Sequence, residues 1–164
     1  MKVCKPINDP DFWKERLDDV YKIFGGKIHN SVFVTLPDLW ENICIRHKKI
    51  FQEICSGKIL DAACGYGRLS EWIKEGDEYT GVDFAPAFID KARELYPDKR
   101  FILCDVKHLP FKDGEFDWAV CVSLKAMIQK EDFEGSWEEM EKELKRVAKK
   151  VLILEYSFQN YEIL

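Results

Sequence analysis

Three aspartates recur along this chain at the ends of short apolar runs: Ile59-Leu60-Asp61, Tyr79-Thr80-Gly81-Val82-Asp83 and Phe101-Ile102-Leu103-Cys104-Asp105. Two glycines follow the first, in Asp61-Ala62-Ala63-Cys64-Gly65-Tyr66-Gly67-Arg68-Leu69-Ser70. Glycines at that place let the backbone turn tightly and let a ligand approach without meeting a Cβ. The aspartates are spaced by about one βα unit, and the carboxyl ends of the strands in an open α/β sheet surround one crevice. All three acids are therefore expected to face a single ligand.

A dinucleotide fold shares this outline, and three residues separate the two readings. Ser70 stands where the dinucleotide fingerprint wants Gly or Ala. Asp61, at the lip of the glycine turn, would repel a pyrophosphate and attract a cation. Asp105 offers an acceptor for an adenine edge. A molecule with an ammonium, a ribose diol and an adenine but no phosphate fits this acidic ring, and S-adenosylmethionine is such a molecule. Simpler roles stand beside these: each glycine as an ordinary turn, Asp105 as a helix N-cap.

On these motifs the chain resembles the class I S-adenosylmethionine-dependent methyltransferases. Asp61 to Gly67 looks like their glycine-rich first motif, Gly81-Val82-Asp83-Phe84 like the acidic second, and Cys104-Asp105-Val106-Lys107-His108-Leu109-Pro110-Phe111 like the third. Phe116-Asp117-Trp118-Ala119-Val120-Cys121-Val122-Ser123 is similar to the fourth-strand segment of the small-molecule branch, which includes ubiquinone and menaquinone methyltransferases. The resemblance implies in-line methyl transfer to a small-molecule acceptor, with S-adenosylhomocysteine as product and no metal. It puts backbone groups of Ala63, Gly65 and Gly67 along the methionine moiety, with Asp61 near its ammonium. Asp83 would accept both ribose hydroxyls, Phe84 would pack on the adenine, Asp105 would accept from the adenine amino group, and the Val106 N–H would support a ring nitrogen. Backbone near Val122 and Ser123 would close the pocket beside the sulfonium.

Two departures from that family bear on the acceptor. Ser123-Leu124-Lys125-Ala126 replaces the Asn/Asp-Pro-Pro-Tyr/Phe segment by which amino-methylating DNA enzymes bind a flipped base, so nucleic acid is an unlikely partner. The sequence also ends a few residues after its fifth apolar run, where the family usually adds an antiparallel strand pair. Methyl transfer from a sulfonium needs alignment in a water-poor pocket more than a nucleophile. A base helps only where the acceptor must lose a proton, and His29, His47 and Glu155 are the candidates. His29 reads first as a surface residue, and His47 as part of the solvated face Arg46-His47-Lys48-Lys49, ahead of a role as base. His108 borders the adenine loop, and Lys125 either binds an acidic acceptor or snorkels to solvent. Two other classes remain open: a non-catalytic S-adenosylmethionine-binding subunit or sensor, and a nicotinamide-dependent oxidoreductase, against which the acidic ring argues.

The elements that must position these residues follow from pattern. Short apolar runs at Ile59-Leu60, Tyr79–Val82, Phe101–Cys104, Trp118–Val122 and Val151–Leu154 alternate with polar or helical stretches. This predicts an α/β fold: a Rossmann-like, doubly wound parallel sheet of about five strands, without the usual C-terminal antiparallel pair. Trp137, Met140, Leu144, Val147 and Ala148 mark one face of a late helix. Pro37-Asp38 opens a helix reaching about Cys55, and an earlier one runs from Pro10 to Gly25-Gly26. Residues 1–56 are expected to form a helical cover or lid with Phe12, Trp13, Tyr21, Phe24, Phe33, Trp40 and Phe51, and residues 57–157 the cofactor-binding core of one domain. Ser31 to Leu36, the tail Phe158–Tyr161 or a second protomer must cover the open edge of the fifth strand, which makes a homodimer one of three solutions.

With 164 residues the chain has room for one core. Its net charge of −5 gives no general attraction to phosphate or anionic lipid. No apolar run approaches a membrane span and no leader is evident, so a soluble cytoplasmic protein is expected. The six cysteines show no C-x-x-C pairing and read as buried free thiols, with zinc or disulfides as alternatives.

Overall fold

The computed structural model describes residues 37–125, 136–155 and 161–164, with side chains from residue 43 in the first stretch and from 137 in the second. His29, Ser31 to Leu36 and the early aromatic residues lie outside the described residues, as do the side chain of Trp40 and residues 156–160. Helix α1 (Pro37–Ile54) begins at the expected proline and precedes β1 (Lys58–Ala62). A short 3-10 helix at Arg68–Trp72 leads to β2 (Glu78–Asp83), then α2 (Pro86–Leu95) and β3 (Arg100–Leu103). A second 3-10 turn at Val106–His108 precedes β4 (Phe116–Val122), and α3 (Ser136–Val147) leads into β5 (Ala148–Leu154) and β6 (Tyr161–Ile163). Ala148, expected on the late helix, begins β5 instead.

The sheet order is β3-β2-β1-β4-β5-β6, with β1 to β5 parallel and β6 antiparallel to β5. The sixth strand goes beyond the five expected. Tyr161 pairs with Leu154 and Ile163 with Leu152, so the tail covers the edge through which the sequence allowed a dimer. Of the three ways to protect that edge, the structure shows residues 161–163 supplying the cover.

Both sheet faces are buried, which is why the strands read as continuous apolar runs rather than alternating ones. One face packs Ile59, Trp118, Val120, Leu152 and Leu154 against Phe51 and Cys55 of α1 and Ile89 and Ala92 of α2. The other packs Leu60, Ala62, Ala119, Cys121 and Ile153 against Leu109, Phe111 and the Trp137, Leu144 and Val147 face of α3. The crossover from β1 to β2 carries only the 3-10 turn where the sequence suggested a helix.

Arg146 on α3 holds the loop before β4. Its guanidinium donates to the carbonyls of Leu109 and Phe111 at 2.9 and 2.8 Å and pairs with Glu143 and Asp113 at 2.7 and 2.9 Å. Glu143 in turn accepts from the Leu109 N–H at 3.1 Å. This clasp fixes the segment that follows Asp105 and Val106, and so ties α3 to the site.

Candidate functional site

The strand order reverses direction between β1 and β4, the place where open α/β sheets bind ligands. The residue after each of these two strands is strained. Ala63 has φ +59° and Ser123 φ +61°, and they are the non-glycine residues with positive φ among those described. Such conformations cost of order 1–3 kcal/mol and cluster at functional sites, where surrounding structure enforces them. Here the enforcement is visible: Cys64 N–H donates to the Val82 carbonyl at 2.8 Å, Cys104 N–H to Asp83 at 2.9 Å, and Ser123 N–H to Leu154 at 2.7 Å. Each loop at the carboxyl edge is stitched to the end of the neighbouring strand.

Asp83 ends β2 and is 5% exposed. One carboxylate oxygen accepts from the Gly65 N–H and the other from the Ala85 N–H, both at 2.9 Å. The expected ribose acceptor thus also braces the glycine turn. Burial pushes its pKa up to about 6, against the lowering effect of those backbone donors. Gly65, at φ +54°, has open space where a Cβ would project, so a ligand can approach there. Gly67 is different: at φ +85° its Cβ would meet the Phe101 ring at 2.6 Å, which makes it a packing glycine as well as a turn.

Asp61 lies deeper than the lip of the turn, at 3% exposure, and its Oδ2 accepts from the Tyr79 hydroxyl at 2.8 Å. Burial raises it to about 7, with Asp83 acting in the same direction and the Tyr79 bond and Arg68 opposing. Gly81 makes this contact possible, since a Cβ there would meet the Tyr79 oxygen at 2.7 Å. Sequence reasoning missed Tyr79 and Gly81. The spacing Tyr79-Thr80-Gly81 on a buried strand was the available signal, because the phenol lies over its second neighbour on the same face.

Asp105 performs the simpler role foreseen for it: its Oδ1 accepts from the Lys107 N–H at 2.9 Å and caps the 3-10 turn. Its Oδ2 lies 4.0 Å from Lys107 Nζ. Val106 is buried, Phe84 and Val122 are half-buried, and His108 is exposed. Lys125 turns toward the tail, pairing with Glu162 at 2.6 Å and lying over the Trp137 ring at 5.4 Å.

The solvated reading of His47 is corrected. With Ile43 and Phe51 four residues to either side, it falls on the buried face of α1 and is 4% exposed. Its Nε2 lies 3.0 Å from the Glu155 carbonyl, just past β5. The Arg46-Lys48-Lys49 run hid this, although the i, i+4 spacing carried the signal. Glu155 itself is half-buried at the crevice side.

The five described cysteines are free, and among the described residues no group of His, Cys, Asp and Glu could hold a metal. No described helix is long and apolar enough to cross a membrane. A depression of about 400 Å³ lined by Ser56, Gly57, Asp117, Trp118, Lys149 and Lys150 lies at the opposite, amino ends of the strands, away from every acid of the crevice.

Residues 59–147 match the methyltransferase-domain family. The chain is 42% identical over 67 residues to demethylmenaquinone methyltransferase of Thermus thermophilus, covering 37% of this chain and 30% of that protein. It is 35% identical over 71 residues to 18S rRNA (guanine-N(7))-methyltransferase of Bos taurus, covering 42% and 25%. The chain spans about a quarter to a third of the length of the curated relatives it matches. The fold is similar to that of magnesium protoporphyrin IX methyltransferase from Synechocystis, solved with S-adenosylmethionine bound, at TM-score 0.60 and 15% identity over 92% of this chain and 77% of that one.

Proposed function

Because the chain belongs to the methyltransferase-domain family, we propose that its crevice binds S-adenosylmethionine and transfers the methyl group to a small-molecule acceptor. The observation that carries this reading is the pair of strained loops at the carboxyl ends of β1 and β4, flanked by the buried carboxylates of Asp61 and Asp83. Their chemistry matches the donor. S-adenosylmethionine supplies an electrophilic methyl on a sulfonium, and the protein's task is to orient it and exclude water.

Each residue has a definite part in that reading. Asp83 keeps lone pairs on both oxygens after accepting from Gly65 and Ala85, and the ribose hydroxyls take them. Phe84 lies beside it for the adenine face. Asp105 uses Oδ1 for its cap and Oδ2 for the adenine amino group, while the Val106 N–H meets a ring nitrogen. The open side of Gly65 and the backbone of Ala63 and Gly67 line the methionine moiety, whose ammonium draws Asp61 to its ionised form. The backbone of Val122 and Ser123 closes the sulfonium end.

The acceptor is a small molecule rather than RNA on charge grounds, since a net −5 gives no phosphate-binding field. The relative that methylates rRNA keeps the opposite outcome on the table as a result to be measured. Incubation with tritiated-methyl S-adenosylmethionine, separately with deproteinised cell extract and with ribosomal RNA, tests the reading. Label is expected in the small-molecule fraction; label in RNA overturns the acceptor class, and binding without transfer to either favours a sensor or subunit.

A further inference from the structure

Among the buried polar atoms without a hydrogen-bond partner among the described residues are His47 Nδ1 and Ser123 Oγ, both held at the end of β5. Both residues are more than nine-tenths buried, at 4% and 6% exposure. Successive carbonyls at the end of β5 hold them. The Leu154 carbonyl accepts from Ser123 N–H at 2.7 Å, and the Glu155 carbonyl engages His47 Nε2 at 3.0 Å. A carbonyl can only accept, so the ring proton sits on Nε2 and the lone pair on Nδ1. Orphaned buried polar atoms are rare in folded proteins and require an explanation. Ser123 adds a second cost at the same spot through its left-handed backbone.

The charged groups around the pair set its chemistry. Burial lowers His47 to about 4, with Arg68 and Arg46 acting in the same direction, so Nδ1 remains an acceptor at neutral pH. Arg68 is itself engaged, with its guanidinium 2.6 Å from Cys44 Sγ and over the Trp72 ring. Burial raises the pKa of the Cys121 thiol at the end of β4, and Asp61 and Glu155 act on it in the same direction. The end of β4 and β5 therefore gathers lone pairs and carboxylates in a buried setting that suits hydrogen-bond donors.

We propose that His47 Nδ1 and Ser123 Oγ form the hydrogen-bonding pair that holds the methyl acceptor, and that this acceptor presents a hydroxyl or an uncharged amine rather than an anionic group. The inference rests on the methyl-transfer reading. In the step, the sulfur–methyl bond breaks with its electron pair kept by sulfur, and the acceptor's lone pair forms the new bond. A hydroxyl acceptor's surplus proton goes to Nδ1 as the bond forms and passes to water on product release, whereas a methylated amine keeps its proton and leaves as the ammonium.

His47→Gln keeps an amide N–H for the Glu155 carbonyl but has no basic nitrogen, and Ser123→Ala removes only the hydroxyl. With tritiated-methyl S-adenosylmethionine and deproteinised cell extract as probe, the wild-type product is expected to keep its label in mild alkali, as ethers and N-methyl groups do. His47→Gln is expected to transfer at least ~100-fold more slowly, the lower end of the range typical for a lost proton-accepting group, and Ser123→Ala about 10-fold more slowly, as loss of one hydrogen bond allows. The affinity of His47→Gln for S-adenosylhomocysteine, measured by calorimetry, is expected to stay unchanged, which a merely structural role would not allow. An alkali-labile methyl ester, or variants as fast as wild type, overturns the proposal while leaving methyl transfer standing. A wild type that binds S-adenosylhomocysteine but transfers nothing takes down the methyl-transfer reading, and this inference with it.

Discussion

Asp83 braces the glycine turn and, on the proposed reading, receives the ribose, so its substitution reports on both. Both its oxygens accept from backbone N–H groups, and an Asn amide would turn a donor toward one of those donors. Asp83→Asn is expected to weaken S-adenosylhomocysteine binding by roughly 1.5–3 kcal/mol, the range for a lost hydrogen bond to a charged group. Calorimetry checks this, and unchanged affinity would remove Asp83 from the site. The raised pKa values give a sign for pH as well. Asp61 and Asp83 bind protons more tightly folded than unfolded, so they favour the unliganded fold below about pH 4 and that support is lost as pH rises through about 6 and 7. His47 works in the opposite sense, because its depressed pKa costs stability as pH falls from about 6.5 toward 4. A ligand bringing hydroxyl donors and an ammonium prefers the ionised carboxylates, so affinity is expected to rise from pH 5 to 7. Titrations across that range check it, and a flat profile would detach both acids from the ligand. The spacing of the three aspartates was legible in the sequence; their second partners were not, because Tyr79 and the Ala85 N–H reach them only through the fold.

At the scale of elements, β1, β2, β4 and β5 were legible because they are buried on both faces and read as apolar runs, and β3, at the sheet edge with Leu103 exposed, was legible from the run Phe101–Cys104. Helix α1 was legible in extent but not in its buried side, since the charged neighbours of His47 masked a face set by Ile43 and Phe51. The 3-10 turn after the glycine loop was not legible, because a pattern of Leu69 and Trp72 suits either helix type over so few residues. Gly81 shows why local pattern falls short: its lack of a Cβ makes room for the Tyr79–Asp61 bond across the strand. Gly81→Ala forces the phenol aside, and overpacking of this kind typically costs about 1–3 kcal/mol. Urea unfolding is expected to show that loss together with a lowered affinity for S-adenosylhomocysteine, as Asp61 loses its donor. A variant of wild-type stability would mean that the phenol has another place to go.

For the whole molecule, the tail decides how the sheet ends. β6 covers the β5 edge with three residues, and an edge strand that short offers little template for another chain. Light scattering at tens of micromolar is expected to give the mass of one protomer. Removing residues 161–164 re-exposes β5, and a mass that grows with concentration is the expected result. A wild-type dimer would contradict the role given to the tail. The central claim, that the crevice at the carboxyl ends of β1 and β4 recognises S-adenosylmethionine by its acids and strained loops, is tested most directly by calorimetry on the wild-type chain with S-adenosylhomocysteine and NAD side by side. The account predicts one S-adenosylhomocysteine bound per chain and no heat from NAD; NAD binding without S-adenosylhomocysteine binding would contradict it.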